Sequence, residues 1–156
     1  DSGPLFITQE RIGKNGKIIR IHKFRSMSVS DDGVWVTKND PRITRTGKFI
    51  RRTRIDELPQ LISVLHGDLS LIGPRPELPN LVELYNRELP YYVMRHLIKP
   101  GLSGWAQIHH EKPPHSIEGT QEKISYAFYY IKNRSFLVDL KISLKTLRTL
   151  LSRSGV

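Results

Sequence analysis

The chain opens with two short segments in which apolar and polar residues alternate. These segments cover residues 5–12 and 18–24, and an Asn15-Gly16 dipeptide lies between them. Asn-Gly between two such segments is typical of the tight turn of a β-hairpin. The pattern therefore predicts two antiparallel strands near the N-terminus.

Beyond residue 45 the apolar positions recur every three or four residues, which is the spacing of amphipathic helices. One helix is predicted over residues 56–67, where Pro59 fits the first turn because its missing N–H costs nothing there. Its apolar face consists of Leu58, Leu61, Ile62 and Leu65. A shorter helix is predicted to begin with Thr46 as its cap and to end at residue 52. Three more helices are predicted over residues 77–87, 118–132 and 137–151.

Leucines follow one face of the last predicted helix. They are Leu137, Leu140, Leu144, Leu147 and Leu151. We interpret this stripe as a packing surface, which lies either against other helices or against a membrane face.

Turn-forming residues interrupt these elements. Residues 28–41 are rich in Ser, Asp, Gly, Asn and Pro, which indicates an exposed loop that either closes over a ligand or only connects its neighbours. Residues 73–76 (Gly-Pro-Arg-Pro) exclude regular structure, and residues 100–101 (Pro-Gly) indicate another break. No repeat or linker divides the chain. We predict a single domain over residues 1–156 of the α+β class, predominantly helical, with a small β-hairpin near the N-terminus and several amphipathic helices.

The composition agrees with one globular domain, since 38% of the 156 residues are hydrophobic and 26% are charged. A formal charge of +10 favours partners such as phosphates, nucleic acid or anionic lipid. The absence of cysteine excludes disulfides, thiolate metal sites and cysteine nucleophiles. We find neither a stretch as long as a membrane span nor a signal peptide. The opening without Met leads us to expect a fragment of a longer protein.

Two adjacent carboxylates, Asp56 and Glu57, begin the second predicted helix. Neighbours on a helix point about 100 degrees apart, so the two groups are expected to do different jobs. One can attack or receive a group while the other holds a cation or orients a hydroxyl. The simpler interpretation is a favourable interaction of both charges with the N-terminus of the helix.

Cations surround this pair in the sequence. They are Lys23, Arg25, Arg42, Arg45, Lys48, Arg51, Arg54 and Arg75. A solvated basic face is the usual meaning of a cation at every third residue. Arg75, however, lies between two prolines that fix its backbone, and its guanidinium can hold phosphate through two bonds. Carboxylates among fixed cations suit phosphoryl transfer, in which a carboxylate can form a covalent intermediate.

Four segments, in order along the chain, resemble one protein family. They are residues 23–27 (Lys-Phe-Arg-Ser-Met), 56–61 (Asp-Glu-Leu-Pro-Gln-Leu), 67–77 (Gly-Asp-Leu-Ser-Leu-Ile-Gly-Pro-Arg-Pro-Glu) and 99–108 (Lys-Pro-Gly-Leu-Ser-Gly-Trp-Ala-Gln-Ile). Together they resemble the bacterial sugar transferases, which are monotopic polyprenyl-phosphate glycosyl-1-phosphate transferases, also called phosphoglycosyl transferases. The similarity extends over nearly the whole chain.

The resemblance implies a two-step reaction at the cytoplasmic face of the bacterial inner membrane. Asp56 would be the nucleophile that takes a phosphosugar from a UDP-sugar, releases UMP and passes the phosphosugar to undecaprenyl phosphate. This step would initiate the assembly of an exopolysaccharide, capsule, O-antigen or other glycan. Glu57, together with Asp56, would bind Mg²⁺. By the same resemblance Lys23, Arg25, Arg51 and Arg75 would bind phosphate or brace the site.

Members of this family usually carry a membrane-embedded helix before the segment that begins this chain. The resemblance therefore makes the lipid surface of the inner membrane an expected partner. It also gives two interpretations of the apolar faces near Asp56 and over residues 137–151. Core packing is the favoured one, and contact with lipid is the alternative.

Near the C-terminus the chain departs from the family pattern at Ala127, a position that is commonly acidic. If that acid braces the site or selects the sugar, this chain has lost or replaced it. Asp139 lies in an intact segment and is interpreted either as the partner of a site arginine or as half of a structural salt bridge. Residues 109–115 hold three histidines and a glutamate, and we interpret them as a variable surface loop rather than a zinc site. Trp105 is interpreted as a core anchor, with stacking on substrate as the alternative.

Two other hypotheses remain at this point. A basic module for nucleic acid would explain the cations, but two carboxylates beside a polyanion argue against it, so we predict no nucleic-acid partner. An inactive relative that serves as a scaffold is kept open by Ala127. The sequence leaves open the identity of the sugar, the pathway, and whether two copies form a homodimer.

Overall fold

The computed structural model describes residues 3–28, 40–109 and 117–151. Helices dominate the described part, which also contains two small two-stranded sheets. The predicted α+β class with predominant helix is therefore confirmed. Most of the predicted loop over residues 28–41 lies outside the described residues.

The N-terminal hairpin forms where the sequence predicts it. Strand β1 (Phe6–Ile12) pairs antiparallel with β2 (Ile18–Phe24) along its full length. In the connecting turn Asn15 and Gly16 have φ values of 56° and 75°. Asn and Gly tolerate this left-handed conformation better than other residues, which explains why the dipeptide ends one strand and begins the next.

Six helices follow the hairpin in the described residues. They are α1 (Arg45–Arg52), α2 (Gln60–Leu65), α3 (Pro79–Glu88), α4 (Trp105–His109), α5 (Ile117–Asn133) and α6 (Phe136–Leu151). The predicted cap of α1 is wrong by two residues, because Thr44 rather than Thr46 accepts a hydrogen bond from the backbone N–H of Gly47, at 2.9 Å. Thr44 has the extended backbone that lets a hydroxyl reach that N–H, while Thr46 lies inside the helix.

The second predicted helix does not begin at Asp56. A 3₁₀ turn covers Ile55–Glu57, and α2 begins only at Gln60. Arg54 has a left-handed backbone with φ of 55°, which redirects the chain between α1 and this turn. Pro59 has no N–H to donate to residue 55, so it serves as the N-cap of α2. The two carboxylates therefore lie in a tight turn before the helix.

A second sheet, which the sequence did not indicate, joins two distant segments. Strands β3 (Ser70–Ile72) and β4 (Gly101–Ser103) are parallel. The two residues after β3 also bond to β4. The backbone N–H of Gly73 donates to the carbonyl of Ser103 at 2.8 Å, and the backbone N–H of Gly101 donates to the carbonyl of Pro74 at 3.0 Å. A Cβ on Gly101 would lie 2.0 Å from the backbone nitrogen of Gly73, so only glycine allows this approach. The pairing fixes the segment that precedes Arg75.

Two clusters of buried side chains form the core. The larger one packs α3 against α5 and the segment between α3 and β4, and consists of Val82, Tyr85, Leu89, Tyr92 and Ile124. The smaller one joins the hairpin to the segment before β3 and consists of Ile19, Ile21 and Leu69.

The predicted core packing of the apolar faces of α2 and α6 is wrong. Leu58 and Leu65 are 52% and 86% exposed, and Leu144 on α6 is 60% exposed. On α6 the buried residue is Ile142, which lies off the predicted leucine stripe. Within the described residues no helix combines the length and the apolar character needed to cross a bilayer.

Candidate active site

The centre of the candidate site is an ion pair between Glu57 and Arg75. Two guanidinium nitrogens of Arg75 donate to the two carboxylate oxygens of Glu57, and the Nη1 to Oε2 distance is 3.3 Å. Both side chains are mostly buried, since Glu57 is 18% exposed and Arg75 is 29% exposed. A bidentate pair of this kind holds both groups in one orientation. The 3₁₀ turn and the loop after β3 thereby become one rigid unit.

The surroundings shift the pKa values of the two adjacent carboxylates, Asp56 and Glu57, in opposite directions. Burial raises the pKa of Asp56, and the charge of Glu57 raises it further against the opposing charge of Lys23. Burial also acts to raise the pKa of Glu57, but the charge and hydrogen bonds of Arg75 outweigh it and hold that pKa at about 2. Glu57 is thus a fixed anion, while Asp56 is the more basic carboxylate and forms no bidentate pair with any residue that the structure describes.

Lys23 of β2 is a third member of the site. Burial, followed by the charge of Arg75, lowers the pKa of its ammonium group to about 8, while Glu57 and Asp56 act in the opposite direction. At neutral pH Lys23 is therefore still mostly protonated, but it is poorly solvated. An anion placed beside it would compensate for the lost water.

A second group of charges supports Arg75 from behind. Arg95 donates from Nη2 to the backbone carbonyl of Arg75 at 2.6 Å and from Nη1 to the hydroxyl of Tyr92 at 2.8 Å. Glu77 accepts a hydrogen bond from Lys123 of α5 and lies 3.7 Å from Arg95. Burial acts to raise the pKa of Glu77, but Lys123 and Arg95 hold it at about 2. These contacts fix the backbone on both sides of Pro76.

The structure brings together four of the residues predicted for the site, Lys23, Asp56, Glu57 and Arg75. Arg51 of α1 lies at the edge, where its charge lowers the pKa of Asp56 and its Nη1 approaches the Met27 sulfur at 3.9 Å.

Two residues predicted for the site, Arg25 and Asp139, have their observed contacts elsewhere. The guanidinium of Arg25 lies over the backbone of Gly3, close enough that a Cβ on that glycine would be 2.6 Å from Nη1. Asp139 accepts a hydrogen bond from the hydroxyl of Tyr130 at 2.7 Å. The turn between α5 and α6 places these two side chains opposite each other, so the contact observed for Asp139 is with a tyrosine rather than an arginine.

Comparison with known proteins identifies the family. The model of the family described as "Bacterial sugar transferase" matches residues 1–153. The chain belongs to the bacterial sugar transferase family.

Relatives in this family have related names. A UDP-N-acetylgalactosamine-undecaprenyl-phosphate N-acetylgalactosaminephosphotransferase of Aeromonas hydrophila is 47% identical over 98% of this chain and 37% of the relative. A UDP-glucose:undecaprenyl-phosphate glucose-1-phosphate transferase of Escherichia coli K12 is 42% identical over 90% of this chain and 31% of the relative. An undecaprenyl-phosphate galactose phosphotransferase of Salmonella typhimurium is 35% identical over 99% of this chain and 35% of the relative. The chain thus spans about a third of the length of these relatives.

The departure from the family pattern at Ala127 lies beside the supporting charges. Ala127 is buried and borders a cavity of about 10 Å³ that Arg75, Arg95 and Lys123 also line. This volume holds one water molecule at most. A carboxylate at this position would lie among three cations. With alanine in its place, Arg95 and Lys123 engage Glu77.

Trp105 packs between helices, while only part of the histidine-rich segment is described. Trp105 stacks on Tyr129 at 4.9 Å between ring centres, and the Lys141 ammonium lies 5.1 Å from its ring, so it anchors α4 against α5 and α6. Of the histidine-rich segment, residues 110–115 lie outside the described residues. In the ranges that the structure does describe, no cluster of three or more His, Cys, Asp or Glu side chains could hold a metal.

Asp56 and Glu57 nevertheless suit Mg²⁺, because this ion needs few ligands from the protein. Mg²⁺ is commonly bound through one or two carboxylates, and its other ligands are substrate phosphates and water. The low pKa of Glu57 keeps it ionised at neutral pH. Each carboxylate oxygen can accept more than one contact, so the pairing with Arg75 does not exclude a cation.

Proposed function

We propose that this chain is the catalytic domain of an enzyme that transfers a sugar 1-phosphate from a UDP-sugar to undecaprenyl phosphate and releases UMP. The observation that carries the proposal is the buried Asp56, whose pKa is raised, beside a Glu57 that Arg75 holds in place. The names of the relatives support the two substrate classes. Two carboxylates among buried cations are unsuited to nucleic acid, which argues against a nucleic-acid module.

The reaction proceeds by two displacements at one phosphorus atom. A carboxylate oxygen of Asp56 attacks the sugar-bearing phosphorus, and the bond to the bridging oxygen breaks so that UMP leaves with the electron pair. An oxygen of undecaprenyl phosphate then attacks the same phosphorus and releases the Asp56 carboxylate. Lys23 and Arg75 neutralise the phosphate charge in both steps, which is the main contribution a protein makes to such a reaction.

We propose that Asp56 and Glu57 hold Mg²⁺ together with substrate phosphates. When bound, the ion supplies further neutralisation of phosphate charge. Glu57 serves this purpose because Arg75 fixes its orientation before any ligand arrives.

The covalent intermediate predicts a burst of product. We expect the full-length protein in detergent, supplied with Mg²⁺ and the correct donor from a panel of UDP-sugars, to release about one UMP per enzyme without acceptor. Addition of undecaprenyl phosphate then gives steady turnover. Coupled detection of UMP measures both phases. UMP release that begins only with acceptor contradicts the covalent intermediate, and no release from any donor by folded protein favours the inactive relative.

We also propose that the exposed apolar face of α2 rests on the cytoplasmic surface of the inner membrane. Leu61 and Leu65 of this short helix are 40% and 86% exposed, and Leu58, in the turn between Asp56 and α2, is 52% exposed. An apolar face of this kind gains free energy at a lipid interface. The same contact brings the catalytic carboxylate close to an acceptor whose phosphate lies at that surface.

A polarity-sensitive fluorophore tests this contact. We expect the dye on Leu65→Cys, in full-length protein reconstituted in vesicles, to shift to shorter wavelength and to be quenched by spin-labelled lipid. Glu83→Cys, on the exposed side of α3, is the control and is expected to show neither effect. Equal, water-like emission from both positions contradicts the membrane contact of α2.

A further inference from the structure

A polar cavity of about 100 Å³ lies next to the candidate active site. Its polar walls are the side chains of Arg11, Lys23, Gln60, Arg75 and Glu77. Lys23 and Arg75 therefore border both this cavity and the two carboxylates of the site. The volume exceeds that needed for a single water molecule several times over, so it accommodates a group such as a phosphate.

Gln60 is the most unusual residue of this cavity. It is the first residue of α2, lies four positions after Asp56 and is 2% exposed. Its side-chain Nε2 is buried and has no hydrogen-bond partner among the described residues. A buried amide donor without a partner is costly, so the fold bears this arrangement at the expense of its own stability.

The side chains that line the cavity carry more positive than negative charge. Arg11 donates from Nη2 to Gln9 at 2.7 Å and contributes positive charge, as do Lys23 and Arg75, although Arg75 is also paired with Glu57. The carboxylate of Glu77 is already engaged by Lys123 and Arg95. The cavity therefore offers hydrogen-bond donors and positive charge, which is the environment that binds an oxyanion.

We propose that this cavity is a phosphate subsite and that Gln60 and Arg11 bind a phosphoryl oxyanion of the substrates, together with Lys23 and Arg75. This inference rests on the phosphosugar transfer proposed above. The oxyanion has two sources, the nucleotide phosphate that departs as UMP and the phosphate of the lipid acceptor. Both occupy the side of the reacting phosphorus opposite Asp56, because each displacement at that phosphorus is in line. One subsite then serves both steps in turn.

Substitution of Gln60 separates binding from folding. Gln60→Leu removes the unpartnered donor, so we expect it to leave the melting temperature unchanged or raise it. Gln60→Glu places a carboxylate among three cations, so it also preserves or raises stability while repelling phosphate. We expect both variants to weaken UMP binding roughly 10- to 100-fold, which is the range for a hydrogen bond to a charged group. A purely structural glutamine would lose stability and affinity together.

Two half-reactions distinguish the sources of the phosphate in the full-length enzyme. Exchange of labelled UMP into UDP-sugar, without acceptor, reports the nucleotide phosphate. Transfer from the isolated phosphosugar enzyme to undecaprenyl phosphate reports the lipid phosphate. We expect Gln60→Leu to raise the KM roughly 10- to 100-fold in both. A defect in only one half-reaction assigns the subsite to that phosphate and overturns its use in both steps.

Gln121→Leu, on the exposed side of α5, is the matched control and is expected to resemble the parent. Parent-like UMP affinity and parent-like KM of Gln60→Leu in both half-reactions overturn the subsite. Absence of exchange in the parent rejects the covalent intermediate, and absence of any transfer to undecaprenyl phosphate by the parent rejects the proposed function, so these failures are distinguishable from failure of the subsite.

Discussion

Asp56→Asn is expected to abolish both UMP release and phosphosugar transfer. The substitution keeps the size of the side chain but replaces the carboxylate that we propose as nucleophile with an amide that cannot form the covalent intermediate. We expect the burst of UMP to disappear and turnover to fall at least about a thousandfold. Intact-protein mass spectrometry after mixing with donor measures the phosphosugar adduct directly, and it should be found on the parent alone.

Asp68→Asn provides the control for this experiment. Asp68 is exposed and lies after α2, so the same chemical change there should leave the burst intact. Without Mg²⁺, UMP should still bind to Asp56→Asn, and more tightly than to the parent, because a negative charge beside the phosphate has been removed. A burst that persists in Asp56→Asn would assign the nucleophile to another residue.

Glu77→Gln is expected to cause a large loss of stability. The change leaves Lys123 and Arg95 buried without their common carboxylate. Removal of one partner from a buried pair costs about 3 to 5 kcal/mol. The displacement of the pKa of Glu77 from 4.5 to about 2 corresponds to about 3 kcal/mol. For a domain of this size the melting temperature should fall by roughly 10 °C.

The effect of Glu77→Gln depends on pH in a defined direction. The folded-state pKa of Glu77 lies below its unfolded value, so its contribution is fully present above pH 4.5 and is lost as the pH falls towards 2. Thermal unfolding of parent and variant should therefore differ most at neutral pH and converge in acid. Glu83→Gln, at an exposed position of α3, should change stability by less than about 0.5 kcal/mol. Equal stability of parent and Glu77→Gln at pH 7 would contradict the role of the pair.

The elements that the sequence predicted correctly are those with strong local signals. The hairpin was predicted because Asn15-Gly16 has a conformation that few other dipeptides adopt. The long helices α5 and α6 were predicted within one or two residues because their periodicity extends over many turns. The start of α2 was wrong because the left-handed backbone of Arg54 and the cap at Pro59 divide a segment that looks continuous in sequence.

Elements formed by distant segments were not predictable. Strands β3 and β4 have three residues each and, within the described ranges, pair only with each other, so neither leaves a periodic pattern. Exposure of the apolar faces of α2 and α6 was also mispredicted, because periodicity shows that a face is apolar but not what covers it.

Some residues of the candidate site were predictable from the sequence, and others were not. Lys23, Asp56, Glu57 and Arg75 belong to recognisable segments, and the structure brings them together. The support behind Arg75 comes from three separate parts of the chain, and no local pattern links Arg95 and Lys123 to Glu77. Gln60 lay inside a recognised segment, but only its burial without a partner makes it a candidate ligand.

The parallel pairing of β3 with β4 has a consequence for the order in which the domain folds. The two strands enclose residues 73–100, a loop of 28 residues that contains α3. Bringing the ends of such a loop together costs chain entropy before the pairing returns any stabilisation. Arg75 lies near the start of that loop, and the residues directly before it, Gly73 and Pro74, acquire their hydrogen bonds to Ser103 and Gly101 only when the loop closes. We therefore infer that the bidentate pairing of Arg75 with Glu57 forms late in folding, after the segment that begins at Gly101 has paired with β3.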